Sequence, residues 1–118
     1  MRDAGQVGER PSFIEVTTNR LSFLPGDHGF AGPRIQRSWD RIPAITRVGY
    51  SRSDMTIDVI HVVGFMGENY VETRCRHKDT NGQGDWMALG SNTTHTGYQL
   101  RRALELQAQA IHSHLGVK

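Results

Sequence analysis

The strongest constraint on the fold is a series of segments in which apolar and polar residues alternate, separated by short connections. These segments span 44–51, 56–64, 69–78 and 85–89. The connections at 52–54 and 64–67 are only a few residues long, and the next one contains Asn81-Gly82, a dipeptide typical of a tight hairpin turn. Parallel neighbours would need a connection of about a dozen residues or more. The pattern therefore predicts an antiparallel meander.

The C-terminal segment has the pattern of a capped amphipathic helix. Thr96-Gly97-Tyr98-Gln99 fits a capping box, and Gly116 is a typical stop after a helix that reaches about Leu115. Apolar residues recur at the spacing of a helical turn, at Leu100, Leu104, Ala108, Ile111 and Leu115, and are widened sideways by Ala103, Leu106 and Ala110. The apolar arc spans about 200°, twice the stripe of about 100° expected of a surface helix. One small sheet is therefore not expected to cover it.

The N-terminal half is less regular. Residues 1–11 are polar and contain glycine, which predicts an extended arm, and alternation over 12–18 predicts a further strand. Three prolines and three glycines between residues 25 and 43 predict a long loop. With 118 residues the chain supports a single domain, 1–118. The predicted fold class is α+β: an antiparallel meander of four to five strands, covered on one face by the C-terminal helix, with a long Gly/Pro-rich loop in the N-terminal half.

Composition excludes several classes of protein. No apolar stretch approaches the roughly 20 residues of a membrane span, and the N-terminus lacks the apolar segment of a secretion signal. Cys75 is the only cysteine, so neither an internal disulfide nor a multi-cysteine zinc site can form. His112 and His114 are two residues apart on the predicted helix, about 200° around its axis, and cannot bind one ion together. We expect a cytoplasmic protein with no membrane partner, no metal and no other cofactor.

The most suggestive binding feature is a basic strand. The net charge is +2, and twelve of the fourteen basic residues are arginines. Strand alternation turns several side chains of the segment 69–78 to one side, namely Tyr70, Arg74, Arg76 and Lys78. Guanidinium groups beside an aromatic ring suit phosphates and a stacked base, and Arg2 and Arg10 of the arm would add to them. The alternative is a solvated face that charge protects from aggregation, and Glu72 in the same row favours this alternative.

Two polar residues interrupt the apolar arc of the predicted helix. Gln107 and His114 lie in its middle, seven residues apart, where a polar group without a partner costs about 1 to 3 kcal/mol. His61 lies on the apolar side of its predicted strand and is expected to face them. The three residues form either a pocket for a small molecule or for proton transfer, or a set of satisfied hydrogen bonds in the core.

The predicted loop 25–43 contains residue types that are used in acid–base catalysis. They are Asp27, His28 and Asp40, with Arg34 and Arg37 nearby for an anionic substrate. Such a set would make the loop an active site, although turn formation and ordinary loop polarity explain the same residues. Cys75 is flanked by basic residues but lacks a third orienting group, so we expect a buried core residue rather than a catalytic thiol.

No catalytic set converges, so the leading hypothesis is a small non-enzymatic binding or assembly protein. The wide apolar arc and the apolar residues of the long loop predict a homo-oligomer, a dimer being the commonest case. The expected interface residues are Phe30, Trp39, Leu106 and Ala110. The partner would be a second copy of the chain or another protein. The alternatives are a nucleic-acid-binding module that uses the basic strand and a small enzyme with its site in 25–43.

Overall fold

A computed structural model describes residues 12–38, 40, 43–78 and 84–116. Three helices and five strands lie in this part of the chain. In chain order they are α1 (Phe13–Arg20), α2 (Phe23–Asp27), β1 (Ala31–Ser38), β2 (Ala44–Arg52), β3 (Met55–Val63), β4 (Asn69–His77), β5 (Trp86–Thr93) and α3 (Gly97–His114). None of these helices is long and apolar enough to cross a membrane.

The five strands form one sheet in chain order, and every neighbouring pair is antiparallel. This confirms the predicted α+β class with its meander and its C-terminal helix. The four segments predicted from alternation correspond to β2, β3, β4 and β5, with β5 continuing to Thr93. The two-residue turn Ser53-Asp54 shows why the prediction holds, because so short a connection leaves β2 and β3 only an antiparallel pairing.

The capping residues that the sequence predicted are found at both ends of α3. The Thr96 hydroxyl accepts a hydrogen bond from the backbone N–H of Gln99 (3.0 Å), and the Gln99 side chain accepts one from the backbone N–H of Thr96 (3.2 Å). Gly116 follows the helix with a φ of +76°, a left-handed conformation that favours glycine. The capped helix turns its apolar face to the sheet, where Leu104 and Ile111 are buried.

The strand predicted over 12–18 is wrong, because this segment forms α1. Ser12 is its N-cap, and the Ser12 hydroxyl accepts a hydrogen bond from the backbone N–H of Glu15 (3.4 Å). Phe13 and Thr17, one helical turn apart, are both buried. A segment this short does not distinguish the two-residue period of a strand from the 3.6-residue period of a helix, because residues four apart share a face in both structures.

The prediction of an uninterrupted loop over 25–43 is also corrected. The segment begins with the end of α2 and contains β1, which pairs with β2. β1 lies at the edge of the sheet with most of its residues exposed, so no alternation of apolar and polar residues marks it. Pro33 lies at the irregularity in register between Ala31 and Arg34, in an edge position where proline is tolerated.

The helices cover one face of the sheet, which we call the closed face. α3 packs on β4 and β5, and α1 packs against α3 and contacts β2. Buried side chains of these elements form one core that includes Phe13, Leu24, Phe30, Val48, Tyr50, Ile57, Val59, Val71, Leu104 and Ile111. α1 therefore covers part of the wide apolar arc of α3 from which a second subunit was predicted. Oligomerisation stays a prediction.

Candidate functional site

The opposite face of the sheet, which we call the open face, carries charged residues. Side chains alternate along a strand, so β4 turns Val71 and Cys75 to the core and Arg74 to the other side. The register places residues of four strands in one row across the open face: Arg34 of β1, Gly49 of β2, Asp58 of β3 and Arg74 of β4. The basic strand predicted from the sequence is thus one part of a wider site.

Four arginines surround one carboxylate in this row. Arg47 and Arg76 also act on Asp58, and with Arg34 and Arg74 they form what we call the arginine cluster. Asp58 Oδ2 lies 3.9 Å from Arg47 Nε and 3.9 Å from Arg74 Nη2, close enough for ion pairing but too far for hydrogen bonds. Only 5% of Asp58 is exposed. The arginine side chains therefore cover this carboxylate on the open face.

Gly49 makes the close approach possible. A β-carbon at this position would lie 2.9 Å from Asp58 Oδ1 and 3.2 Å from Arg34 Nη2. Any other residue would therefore displace the carboxylate or the guanidinium group. The cluster opens into a depression of about 200 Å³ that Thr56 and Trp86 also line.

Trp86 of β5 orients two of the arginines. The guanidinium carbon of Arg74 lies 4.2 Å from the centre of the Trp86 ring, and that of Arg76 lies 4.8 Å from it. Such cation–π contacts hold a guanidinium group without using its N–H donors. The Nε atoms of Arg47, Arg74 and Arg76 are buried and have no hydrogen-bond partner among the described residues. Nearly all buried donors in folded proteins are satisfied, so these three are exceptions, as is the buried hydroxyl of Thr17 on the helix side of the sheet.

The charges of the cluster do not balance. Burial raises the pKa of the Asp58 carboxyl above its usual range, while the charges of Arg47, Arg74, Arg34 and Arg76 oppose this increase. Even when Asp58 is ionised, four guanidinium groups face one carboxylate, an excess of three positive charges. A guanidinium group presents its donors as a fork that matches carboxylate and phosphate oxygens. The arrangement can therefore bind an anion that supplies the missing acceptors.

The other members of the predicted basic platform lie apart from the cluster. Tyr70 is half-buried at the far end of β4 and lines a depression of about 330 Å³ beside the exposed Phe65. Lys78 directly follows β4 and is exposed. Arg2 and Arg10 lie outside the described residues. The open face thus has a basic end at the arginine cluster and an apolar end at Tyr70.

Sequence reasoning missed Arg47, Asp58 and Trp86, and it assigned Arg34 to a candidate catalytic loop rather than to the open face. Two of them had a usable signal, because the short turn at 52–54 aligns the predicted strands and alternation then places Arg47 and Asp58 on one face. Arg34 had none, since it lay in the predicted loop.

Gln107 has its partners inside the core. Its side-chain amide donates to the Val71 carbonyl (2.9 Å) and to Asn92 Oδ1 (2.9 Å). Its side-chain oxygen accepts a hydrogen bond from the Thr73 hydroxyl (2.5 Å). For Gln107 the structure therefore shows satisfied core hydrogen bonds rather than a pocket.

His61 and His114, which were predicted to meet Gln107, lie elsewhere. His61 Nε2 lies 2.7 Å from Asn69 Oδ1, and the His61 ring packs against Phe13 of α1 with 5.1 Å between ring centres. His114 lies two helical turns beyond Gln107, about 10 Å along α3. The predicted three-residue cluster is therefore wrong. Alternation along β3 determines which face of the sheet His61 lies on, but it does not determine which residues of the covering helices lie next to it.

His114 instead meets two side chains of β4. His114 Nε2 lies 2.8 Å from His77 Nε2 and 3.5 Å from Cys75 Sγ. Burial raises the pKa of the Cys75 thiol, so this thiol is protonated at neutral pH and is not an activated nucleophile. Alternation indicated that Cys75 and His77 share a strand face. Their meeting with His114 depends on how α3 packs, which no local pattern shows.

The candidate active-site residues of 25–43 are divided among several elements. Asp27 ends α2, His28 follows it, and Asp40 lies beyond the end of β1. Arg34 and Arg37 are three residues apart on β1 and therefore point to opposite faces, with Arg34 in the arginine cluster. The single catalytic loop proposed from the sequence is not what the chain forms.

Of the predicted interface residues, Phe30 lies in the core, whereas Leu106 is exposed. Phe30 is 3% exposed, and the guanidinium carbon of Arg52 lies 4.5 Å from its ring centre, so Phe30 belongs to the core and is not available to a partner. Leu106 is 38% exposed on α3, and Ala110 is half-buried. Trp39 lies outside the described residues.

Comparison with models of protein families, with curated proteins and with solved structures finds no match to this chain. The inference of function therefore rests on the chemistry of the two faces of the sheet.

Proposed function

We propose that the protein binds single-stranded nucleic acid through the open face of the sheet and does so without catalysing a reaction. The observation that carries this proposal is the arginine cluster around Asp58, in which four guanidinium groups face one carboxylate. Phosphate oxygens are acceptors that guanidinium donors recognise in pairs. Phosphates that reach the cluster would also neutralise its excess of positive charge.

The width of the cluster supports a polymer over a single small anion. Its arginines belong to β1, β2 and β4. Neighbouring strands lie about 4.8 Å apart, so the outermost of these arginines start from backbones about 14 Å apart. A nucleic-acid strand that crosses the sheet therefore presents several phosphates to the cluster.

The exposed aromatic residue at the arginine end of the open face, Trp86, supports a single strand over a duplex. Trp86 and Tyr70 lie toward opposite ends of the open face, and Trp86 is exposed. A base stacks on such a ring, or on the guanidinium groups of Arg74 and Arg76 that lie over it, only where the base is unpaired. Glu72 lies between Tyr70 and Arg74 on the same side of β4, and its carboxylate repels phosphate. We therefore expect the strand to run across the sheet from Trp86 toward β1, rather than along β4.

The salt dependence of binding tests the proposal. Fluorescence anisotropy with a labelled single-stranded oligonucleotide, starting at about 50 mM salt, should show an affinity that falls with a log–log slope of about 0.7 per neutralised phosphate. Arg74→Ala/Arg76→Ala should weaken binding to every sequence and flatten this slope by up to about 1.4. Both side chains point away from the core, so circular dichroism should show an unchanged fold.

Arg20→Ala/Arg101→Ala is the matched control. It removes the same charge from exposed positions on α1 and α3, away from the open face, and should keep the wild-type slope. An equal loss of affinity in this control would show that binding follows net charge alone. The proposal would be contradicted by that result, or by the absence of salt-sensitive binding by the wild-type protein at about 50 mM salt. The arginine cluster would then be a solvated surface without a nucleic-acid ligand.

Self-association is a second proposal, supported by an exposed apolar site on α3. Leu106 is 38% exposed and Tyr98 is 71% exposed, and both line a shallow depression of about 120 Å³. Sedimentation equilibrium should give the mass of a dimer, which Leu106→Asp should reduce to that of one chain. A monomeric wild-type mass at micromolar concentration and moderate salt would contradict it.

We propose a cytoplasmic location for both activities, where the Cys75 thiol stays reduced.

A further inference from the structure

Three side chains with metal-binding atoms converge beneath the C-terminal end of α3. Cys75 and His77 are two residues apart on β4 and point to the same side, and His114 reaches them from the last turn of α3. One sulfur and two ring nitrogens from these residues all lie within 4.8 Å of one another. We propose that Cys75, His77 and His114 bind one zinc ion.

The bond lengths of zinc fit this arrangement. With Zn–S of about 2.3 Å and Zn–N of about 2.05 Å, tetrahedral geometry separates sulfur from nitrogen by about 3.6 Å and two nitrogens by about 3.3 Å. Cys75 Sγ lies 3.5 Å from His114 Nε2, close to the first value. His77 Nε2 lies 2.8 Å from His114 Nε2. Binding of the ion therefore requires the exposed His77 ring to shift away from the His114 ring by about half an ångström, while its ligand nitrogen, which lies within 4.8 Å of Cys75 Sγ, comes to about 3.6 Å from that sulfur.

The donor atoms select the class of metal. One thiolate and two imidazoles are typical ligands of zinc and related transition metals, whereas Ca²⁺ and Mg²⁺ prefer oxygen. When the ion binds, the Cys75 thiol loses its proton to solvent, and the histidines coordinate as neutral rings. Cys75 is buried, His114 is half-buried and His77 is exposed. The ion would thus enter from the side of His77, where a water molecule supplies the fourth ligand.

The bound ion would tie the last turn of α3 to β4. The ligands Cys75 and His77 alternate along β4 with Arg74 and Arg76, which belong to the open face. The metal site is therefore separate from the arginine cluster, and it stands whether or not the chain binds nucleic acid. Because the ion binds the native chain, it raises the apparent stability as its concentration increases.

Titration of the chelator-treated protein with Zn²⁺ and Co²⁺ tests the proposal. Calorimetry should give one Zn²⁺ per chain, and Co²⁺ should produce the visible bands of a tetrahedral site with a thiolate-to-metal band in the near ultraviolet. His77→Ala should weaken Zn²⁺ binding at least about tenfold, since loss of even an outer partner of a metal ligand costs that much. The side chain of His77 is exposed, so this variant keeps the core. Cys75→Ala should remove the thiolate band.

His112→Ala is the matched control on the same helix. The His112 ring stacks on Phe23 with 3.8 Å between ring centres and contributes no ligand. This variant should keep the wild-type affinity for Zn²⁺, and Zn²⁺ should raise its thermal midpoint as it does for the wild type. Equal Zn²⁺ affinities of wild type and His77→Ala, or a Co²⁺ spectrum without the thiolate band, would overturn the proposal and leave a hydrogen-bonded group of three side chains.

Discussion

A polar residue is buried near the centre of each face of the sheet, Gln107 on the closed face and Asp58 on the open face, and the two have different kinds of partners. On the closed face, Gln107 makes hydrogen bonds to Thr73, Val71 and Asn92, so both ends of its buried side-chain amide have partners. On the open face, Asp58 is held by ion pairs of 3.9 Å, and the buried Nε of Arg74 has no hydrogen-bond partner among the described residues. The polar contacts of Gln107 therefore stabilise the fold, whereas the open face carries an excess of positive charge around Asp58.

The largest effect is expected from a cavity in the closed face. Leu104 is 2% exposed on α3, and Leu104→Ala should lower the free energy of unfolding by about 2 to 5 kcal/mol. Urea unfolding measures this loss, and the oligonucleotide affinity of the folded variant should not change. Unchanged stability would mean that the apolar face of α3 does not pack on the sheet.

A smaller loss is expected when the closed face loses a polar partner. Gln107→Leu keeps most of the volume but leaves the Thr73 hydroxyl and the Val71 carbonyl without their partner, which should cost about 1 to 3 kcal/mol. Gln109→Leu, at an exposed position of the same helix, should change stability by less than about 0.5 kcal/mol. Equal unfolding free energies of the two variants would show that the closed face does not depend on satisfied polar groups.

The smallest change in stability is expected at the centre of the open face. Burial raises the pKa of Asp58 in the folded state, so ionisation of this carboxyl lowers stability as pH rises from the unfolded value of about 3.9 through the folded one. Asp58→Asn removes this pH dependence, and urea unfolding at acid and neutral pH measures it. The variant should also bind the oligonucleotide more tightly, because a negative charge leaves the cluster.

A large loss of stability in Asp58→Asn would contradict the proposed difference between the two faces of the sheet. Loss of one partner from a buried, well-bonded ion pair costs about 3 to 5 kcal/mol. A loss of that size at neutral pH would show that Asp58 is the structural anchor of the arginine cluster, with no capacity left for a ligand.

The accuracy of the sequence predictions differs between the two halves of the chain. From β2 onward, short connections between strands and a capping box are local signals, and the meander and α3 follow from them. In the first half, the segment 12–18 was too short to separate two periodicities, and the exposed edge strand β1 had no pattern to detect. Both errors concern elements whose place depends on contacts with distant parts of the chain.

For the candidate sites, too, the sequence indicated which residues share a strand face but not which residues meet across strands and helices. Alternation indicated that Arg74 and Arg76 share a face, and that Cys75 and His77 share the other. Arg47 and Asp58 joined the first pair only through the register of three strands, and Arg34 joined through the unexpected β1.

The sequence by itself determined the local structure of this protein: where its inner strands turn, where its C-terminal helix begins and ends, and which side chains share a strand face. These features depend on neighbours a few residues away, whose hydrogen bonds and steric limits act in any context. The tertiary structure decided which residues meet across elements. It placed one carboxylate among four arginines and set His114 over Cys75, because such meetings depend on register and helix packing, which the whole core determines at once.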